Sequence, residues 1–260
     1  MDALWSALGL VFGHPLQFWQ LPEDVSVHGA GIDRLLIAVH VFMAVLFVGW
    51  GAFYLYCLVK FRARAGHTAT YVPPHARITS WLEVGVVVVE VALLFGLSMP
   101  LWGAYKNSPP PDSSSLHVHV VAEQYAWNFH YAGKDGVFGR TRADLISSDN
   151  PLGLDPDDPA GKDDVTTINQ LHLRVNQPVI VELTSKDVIH SFSIPVMRVK
   201  QDVIPGQRIP IWWTAVKTGT WEIACAQLCG LGHYRMRGMV TVDTAEDFDK
   251  WLAENAPAAQ

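Results

Sequence analysis

The sequence predicts a membrane-anchored protein in which a two-helix transmembrane hairpin precedes an all-β sandwich or barrel. Three observations support this fold class. Two long segments are nearly free of charge, a Pro/Ser-rich linker follows them, and the rest of the chain consists of short strand-like runs separated by turn residues. Half of the 260 residues are hydrophobic and only 17% are charged, so the chain is too apolar for a disordered protein.

The two apolar segments are each long enough to cross a bilayer. The 25 residues between Arg34 and Lys60 carry no charged side chain, and the 28 residues between Arg77 and Lys106 carry only two acids. At about 1.5 Å per residue, both segments exceed the hydrocarbon core of about 30 Å. A buried core helix is rarely so long, so we predict two membrane helices.

The segment between the two helices is strongly basic. It carries Lys60, Arg62, Arg64 and Arg77 and no acid. Short loops with an excess of Lys and Arg stay in the cytoplasm, so both termini are predicted to lie outside. Residues 1–30 contain no Lys or Arg. They lack the basic start of a secretory signal, and we interpret them as an outside tail, with a cleaved leader as the alternative.

After Asn107 the pattern changes to short strand-like runs with turn residues between them, which is typical of an all-β sandwich or barrel. A short helix is predicted over Asp247–Glu254. The predicted strands are His117–Glu123, Gln170–Val175, Val179–Thr184, Ile189–Ile194, Arg208–Thr214 and Met239–Val242.

These boundaries define the predicted domain organisation. The segments are an outside tail (1–32), a hairpin (33–105, with helices at about 33–60 and 79–105 and a cytoplasmic loop at 61–78), a linker (106–116), a β domain (117–245) and a C-terminal helix and tail (246–260). The net charge of −6 and the pI near 6.0 argue against nucleic-acid binding, which requires a basic face.

The residues from Cys225 to Met236 form the strongest chemical motif. Cys-x₃-Cys-x₃-His-x₂-Met places four soft or borderline ligands on one loop, and His190 lies 35 residues upstream. Thiolate, thioether and imidazole together select copper over magnesium, calcium or manganese. A disulfide between Cys225 and Cys229 would leave the spaced His and Met unexplained, and structural zinc has no need of Met236.

The second cysteine distinguishes this motif from a mononuclear blue-copper site, which takes one Cys, two His and an axial Met. Two cysteines with two histidines suit a pair of copper ions bridged by both sulfurs. Met236 and a backbone carbonyl would then supply weak axial contacts. Such a centre can share one electron over both metals.

These residues give the chain a resemblance to a known family. Cys225–Met236, Lys186–Pro195 and Val199–Gly206 resemble subunit II of the haem–copper cytochrome c oxidases, whose binuclear copper centre is called CuA. The resemblance covers most of the chain and implies a cupredoxin-like fold for the β domain. It implies that the metal ligands are the side chains of His190, Cys225, Cys229, His233 and Met236, together with the backbone carbonyl of Gln227.

The resemblance also implies partners and a location. Subunit II of this family accepts electrons from cytochrome c and passes them to the haem of subunit I, which holds the haems and CuB, reduces oxygen to water and translocates protons. Subunits I and III, membrane lipid and a donor are therefore the expected partners. The expected location is the bacterial plasma membrane, with a multi-pass chain whose termini and CuA domain face the periplasm.

Two departures from the family pattern alter these expectations. Gln227 stands where the family usually has Glu, whose carboxylate helps to hold a magnesium ion at the boundary with subunit I. A neutral amide is a poorer ligand for a hard cation, so that magnesium is in doubt. The family's Gln-Trp-x-Trp is here Gln124-Tyr125-Ala126-Trp127. Tyr125 and Trp127 are the candidates for electron uptake. For Trp127, unlike Tyr125, we favour the interpretation as a core residue.

The loss of the first Trp widens the choice of donor to a membrane-anchored cytochrome, a cupredoxin or a quinol-oxidising complex. Asp187 and Asp202 flank His190 in segments that resemble the family's docking surface, and we predict that they steer a basic donor. Glu83 matches the family position at the mouth of a proton pathway into subunit I, with an interfacial acid as the alternative. The acids of segment 155–164 are interpreted as a solvated loop.

Other functions remain as alternatives. The quinol oxidase subunit II shares the architecture but lacks copper ligands, which are intact here. A CuA subunit of a nitric oxide reductase would also relay electrons. A copper-delivery module without a redox role would hold mononuclear or labile copper.

Overall fold

The computed structural model describes residues 21–66, 68 and 77–257. The predicted outside tail up to residue 20 and most of the predicted cytoplasmic loop lie outside the described residues. The described residues form two compact units. The helical unit comprises the described residues between 30 and 109, and the β unit combines residues 21–29 with residues 110–257.

The helical unit contains two long apolar helices, as predicted. Helix α1 is Gly29–Lys60. The second helix consists of α2 (Arg77–Leu93), a π-helical turn (Leu94–Ser98) and α3 (Met99–Asn107). The π-helical turn lies next to Pro100, whose missing N–H interrupts the regular hydrogen-bond ladder of an α-helix. Both helices have the length and composition of membrane spans.

The β unit is a sandwich of two five-stranded sheets, which confirms the predicted fold class. One sheet has the order β3-β2-β1-β5-β8 and the other the order β4-β10-β9-β6-β7. The strands are β1 (Leu116–Glu123), β2 (Ala126–Tyr131), β3 (Val165–Ile168), β4 (Gln170–Arg174), β5 (Pro178–Ser185), β6 (His190–Ile194), β7 (Val199–Val203), β8 (Ile209–Thr214), β9 (Gly219–Cys225) and β10 (Arg237–Asp243).

Four of these strands, β2, β3, β7 and β9, were not among the predicted runs. In β2 nearly every side chain is buried, so it lacks the alternation that identifies a strand with one wet face. In β7 three successive polar residues mask the strand pattern. The core between the sheets is aromatic, because Trp127, Phe192 and Trp213 are all fully buried there.

A C-terminal helix, α4 (Ala245–Asn255), contains the predicted segment. The Thr244 hydroxyl accepts a hydrogen bond from the Asp247 backbone N–H and caps its N-terminus. Phe248 is buried in the core, and the Trp251 ring stacks on His172 at 4.1 Å between centroids. These contacts hold the helix against the sandwich.

The segment between β2 and β3 corrects the interpretation of its acids as a solvated loop. Asp155 and Asp164 are buried. Asp164 accepts hydrogen bonds from the backbone N–H groups of Gly133 and Gly139 and lies 2.5 Å from His130 Nε2. These carboxylates hold the segment together by binding its own N–H groups, which a composition-based interpretation does not reveal.

The residues just before α1 form a strap on the β unit. Val25 donates its N–H to the Val196 carbonyl at 2.9 Å, and Val27 donates to Thr214 at 3.0 Å. Ser26 forms a β-bridge with Ala215. The Val25 side chain is 0% exposed and belongs to the sandwich core. This strap, residues 21–28, therefore packs as part of the β unit.

We expect Val25→Ala to lower the free energy of unfolding of the β unit by about 2 kcal/mol, because it opens a cavity in the core. Val27 is the matched control, since its side chain is 66% exposed and Val27→Ala should change the free energy by less than about 0.5 kcal/mol. Tryptophan-fluorescence denaturation of the full-length chain measures both. Equal effects of the two substitutions would contradict a structural role for the strap.

Candidate metal centre

The predicted ligand residues come from two adjacent strands of one sheet and the loop that joins the second strand to β10. His190 is the first residue of β6, and Cys225 is the last residue of β9. The two strands pair in antiparallel register at Phe192 and Cys225, and the Ala226 N–H donates to the Ser191 carbonyl at 2.9 Å. The backbone ladder thus brings residues 35 positions apart to one end of the sandwich.

The ligand loop, residues 226–236, folds back over this end of the sheet. A 3₁₀ turn at His233–Arg235 ends at Met236, and the Met236 carbonyl accepts the Cys225 N–H at 3.2 Å. The Met236 N–H in turn donates to the His233 carbonyl at 3.2 Å. These bonds aim the side chains of the loop at the two thiols.

Each thiol has its own imidazole and its own weak donor. Cys225 Sγ lies 3.9 Å from His190 Nδ1 and 3.2 Å from the Gln227 carbonyl oxygen. Cys229 Sγ lies 3.6 Å from His233 Nδ1 and 3.7 Å from Met236 Sδ. The two sulfurs are 3.7 Å apart. A disulfide requires about 2.05 Å, so both cysteines are free thiols.

The orientation of His190 is determined by a carboxylate. Its Nε2 lies 2.9 Å from Asp187 Oδ1, so the Nδ1 atom faces the thiols. Histidine ligands commonly use one ring nitrogen for the metal and the other for such a partner. Asp187 also accepts hydrogen bonds from the backbone N–H groups of Gln124 and Val188.

The close packing of these groups shifts the pKa values of the two thiols and of His190. Burial opposes ionisation of Cys225, but hydrogen bonding to His190 and to backbone groups outweighs it and lowers the pKa of this thiol. Burial and the neighbouring Cys225 both raise the pKa of Cys229. Burial disfavours the charged imidazole of His190, yet Cys225 and Asp187 prevail and raise its pKa. Two thiolates at this separation repel each other unless a cation lies between them.

The donor set fits copper. Two thiols, two imidazoles and a thioether converge, and all are soft or borderline ligands. No hard carboxylate oxygen faces the sulfurs among the described residues, since Asp187 is directed at the far nitrogen of His190. The arrangement contains two half-sites, each with one thiol sulfur and one imidazole nitrogen.

Tyr125 packs directly on the ligand loop. A Cβ atom on Gly232 would lie 2.4 Å from the Tyr125 ring, and a Cβ on Gly230 would lie 2.6 Å from its hydroxyl oxygen. Gly230 also has φ +133°, which favours glycine. Gln124 Nε2 donates to the Cys229 carbonyl at 2.7 Å. The Gln-Tyr pair therefore holds the loop from outside, a role for Gln124 that sequence reasoning missed.

The remaining predicted site residues are dispersed. Trp127 is fully buried, and its ring lies 6.1 Å from that of His190. A donor therefore does not contact the Trp127 side chain directly, which agrees with the core interpretation, and a part for Trp127 in electron uptake stays a prediction. Asp202 lies on β7 with its carboxylate 3.8 Å from Lys200 Nζ. Glu83 is an exposed residue of α2 in the separate helical unit.

The chain is similar to known proteins along most of its length. The family model described as the periplasmic domain of cytochrome c oxidase subunit II matches residues 116–243. The alternative cytochrome c oxidase subunit 2 of Bradyrhizobium diazoefficiens is 34% identical over 250 residues, covering 95% of this chain and 88% of the relative. Cytochrome c oxidase subunit 2 of Thermostichus vulcanus is 28% identical over 290 residues, covering 99% of this chain and 86% of the relative.

Among solved structures, the periplasmic domain of subunit II of cytochrome oxidase (CoxB) of Bradyrhizobium japonicum is 28% identical. The match covers 57% of this chain and 96% of that domain, with a TM-score of 0.42. The residues matched by the family model include the cluster of His190, Cys225 and Cys229. The chain therefore belongs to the cytochrome c oxidase subunit II family.

Proposed function

We propose that this chain is the electron-accepting subunit of a respiratory terminal oxidase. It takes electrons from cytochrome c or an equivalent donor and delivers them to the haem of subunit I, where oxygen is reduced to water with proton translocation. The proposed copper ligands are His190, Cys225, Cys229, His233, Met236 and the carbonyl of Gln227.

The main support for this proposal is that each thiol lies beside its own imidazole. The two thiols and two imidazoles would hold copper there, and the bound copper would supply one-electron chemistry. The family membership of the chain supports the same function, because the relatives are named as subunits of cytochrome c oxidase.

The chain's own residues keep this site rigid. Asp187 holds the His190 ring in one orientation, and Gln124 anchors the Cys229 carbonyl. Tyr125 fills the space beside Gly230 and Gly232, so the loop cannot shift toward it. A rigid ligand frame lowers the structural rearrangement on electron transfer, which is the property that a fast relay requires.

The partners that we propose are subunits I and III of the oxidase, with the haems and CuB in subunit I. The chain would lie in the bacterial plasma membrane as a two-span protein whose termini and copper domain face the periplasm. The CuA subunit of a nitric oxide reductase would use the same relay, so the identity of the catalytic subunit separates these two functions. A copper-delivery module would instead hold single, exchangeable ions.

Cys229→Ser tests the proposed binuclear centre, because it removes one of the two thiols and leaves only the half-site of Cys225 and His190 intact. We expect copper per chain to fall from about two ions to one or fewer, and the mixed-valence electron paramagnetic resonance spectrum to disappear. Cys57→Ser, which changes a thiol in α1, is the control and should keep both properties. A native spectrum in the Cys229→Ser protein would overturn the relay proposal.

Gln227→Glu tests the proposed weakness of the boundary magnesium site. The Gln227 side chain is exposed while its carbonyl lies beside Cys225 Sγ, so the substitution should add a carboxylate ligand without altering the copper spectrum. In the intact oxidase, we expect Mn²⁺, used as a magnetic substitute for Mg²⁺, to bind at least about tenfold more tightly. Equal Mn²⁺ affinity in both proteins would show that residue 227 does not control this site.

Glu83 is proposed as the proton-uptake residue of the helical unit, seventh in α2. Glu83→Gln keeps the size of the side chain but cannot carry a proton, so we expect steady-state oxygen reduction to slow about tenfold or more. Reduction of the copper centre by the donor should stay at the native rate, as measured by stopped-flow absorbance. Unchanged oxygen reduction would leave Glu83 as an interfacial acid.

A further inference from the structure

The outer surface of the ligand loop is apolar and carries a cation. We define the donor patch as Tyr125, Leu231, Tyr234 and Arg235. The Leu231 and Tyr234 side chains are 96% and 86% exposed. The Arg235 guanidinium carbon lies 5.7 Å from the centroid of the Tyr125 ring. Tyr125 in turn packs against Gly230 and Gly232, so the four residues form one surface around the loop.

This patch lies where an approaching donor would be nearest to the ligands. Leu231 stands between Cys229 and His233, and Tyr234 follows His233 directly. Large apolar side chains that are almost fully exposed on a rigid loop mark a surface that a partner covers. A donor seated there would be separated from the proposed ligands by one layer of side chains.

Three acidic residues near the ligand loop have partners. The Asp187 carboxylate binds His190 and two backbone N–H groups, and it is only 31% exposed. Glu123 forms an ion pair with Lys186 at 2.6 Å. Asp202 lies 3.8 Å from Lys200 Nζ and keeps half of its side chain exposed. Of the two carboxylates that were predicted to steer a basic donor, Asp187 is therefore bound internally and Asp202 has a cation beside it.

The basic group of the ligand loop has no acidic partner. Arg235 is exposed, and it lies within 4.0 Å of no carboxylate in the part of the chain that the structure describes. The free charge next to the apolar surface is therefore positive.

The strand directions explain how an acidic chain presents a positive loop. β2 runs from Ala126, beside the loop, to Tyr131, and the acid-rich segment follows Tyr131. β10 likewise runs from Arg237 to Asp243, and α4 with its four acids follows. Both acidic segments thus lie at the end of the sandwich opposite the ligand loop.

We propose that the electron donor docks on the donor patch through apolar contact, and that its docking face is acidic rather than basic. The partner is an electron carrier, of the cupredoxin or cytochrome class, whose redox group lies in an apolar surface bordered by carboxylates. Arg235 pairs with one of these carboxylates, and Tyr125 lies between the donor and the ligand loop. This inference rests on the proposed electron-relay function.

The test uses the intact copper-loaded oxidase with two matched donors. One is reduced mitochondrial cytochrome c, whose docking face is rich in lysine, and the other is the same protein with its lysines converted to carboxylates by succinylation. We expect the succinylated donor to be oxidised faster at low ionic strength and to slow as salt increases. Arg235→Glu should slow its oxidation about tenfold at low ionic strength, and added salt should then no longer slow the reaction.

Lys250→Glu is the matched control, because it makes the same charge change on an exposed residue of α4, at the end of the sandwich opposite the ligand loop. It should change the rate less than about twofold. Leu231→Ser should slow both donors, whatever the salt concentration. Faster oxidation of the lysine-rich donor that is lost in Asp202→Asn would overturn the proposal in favour of acid-based docking. Loss of the catalytic subunit from Arg235→Glu preparations would also overturn it, because the patch would then be a subunit interface.

Two other measurements test the relay proposal itself. If the chain is not an electron relay, the mixed-valence spectrum would be absent, or the haem would not be reduced after dithionite has reduced the copper centre. Neither measurement depends on the charge of the donor. A protein that passes both tests but prefers the lysine-rich donor would keep its relay function and refute only the acidic docking partner.

Discussion

The candidate metal centre depends on two thiol sulfurs that the fold holds 3.7 Å apart without a bond between them. Burial raises the pKa of Cys229, and the Cys225 sulfur at this distance raises it further, because a second thiolate would be repelled by the first. A disulfide would need the sulfurs to approach by more than an ångström, against the backbone bonds that fix the ends of the loop. A metal cation resolves the conflict, because it neutralises both sulfurs at the spacing that the backbone imposes.

The sandwich supplies this spacing through ordinary ladder geometry. The pairing of β6 with β9 sets His190 against Cys225, and the loop closes on itself through the Cys225–Met236 backbone bond. Outside the ligands, Asp187 and Gln124 each bind one element of the site. The ligands are thus supported by a layer of hydrogen bonds whose members come from three separate turns. Such support determines orientation, whereas the ligand types determine which metal binds.

Part of this architecture could be predicted from the sequence, and the physical reason differs from one element to the next. The two apolar helices were predictable because lipid permits few charges over a long span. β1 and β5 were predictable because their burial alternates along the strand. β2 was not, because both of its faces are covered.

The site shows the same division. Four of its side chains lie within 12 residues, so local spacing identified them. The bond from Asp187 to His190 was not predictable, since it depends on the turn between β5 and β6, and steering of a donor by Asp187 stays a prediction. The buried acids of the segment between β2 and β3 were misinterpreted because composition does not distinguish a solvated carboxylate from one that binds backbone N–H groups.

For the same reason, the net charge of −6 does not indicate which partner this chain recognises. Much of that charge is bound internally or lies beyond the far ends of β2 and β10, and a docking partner responds to the unpaired groups within about one Debye length of its contact.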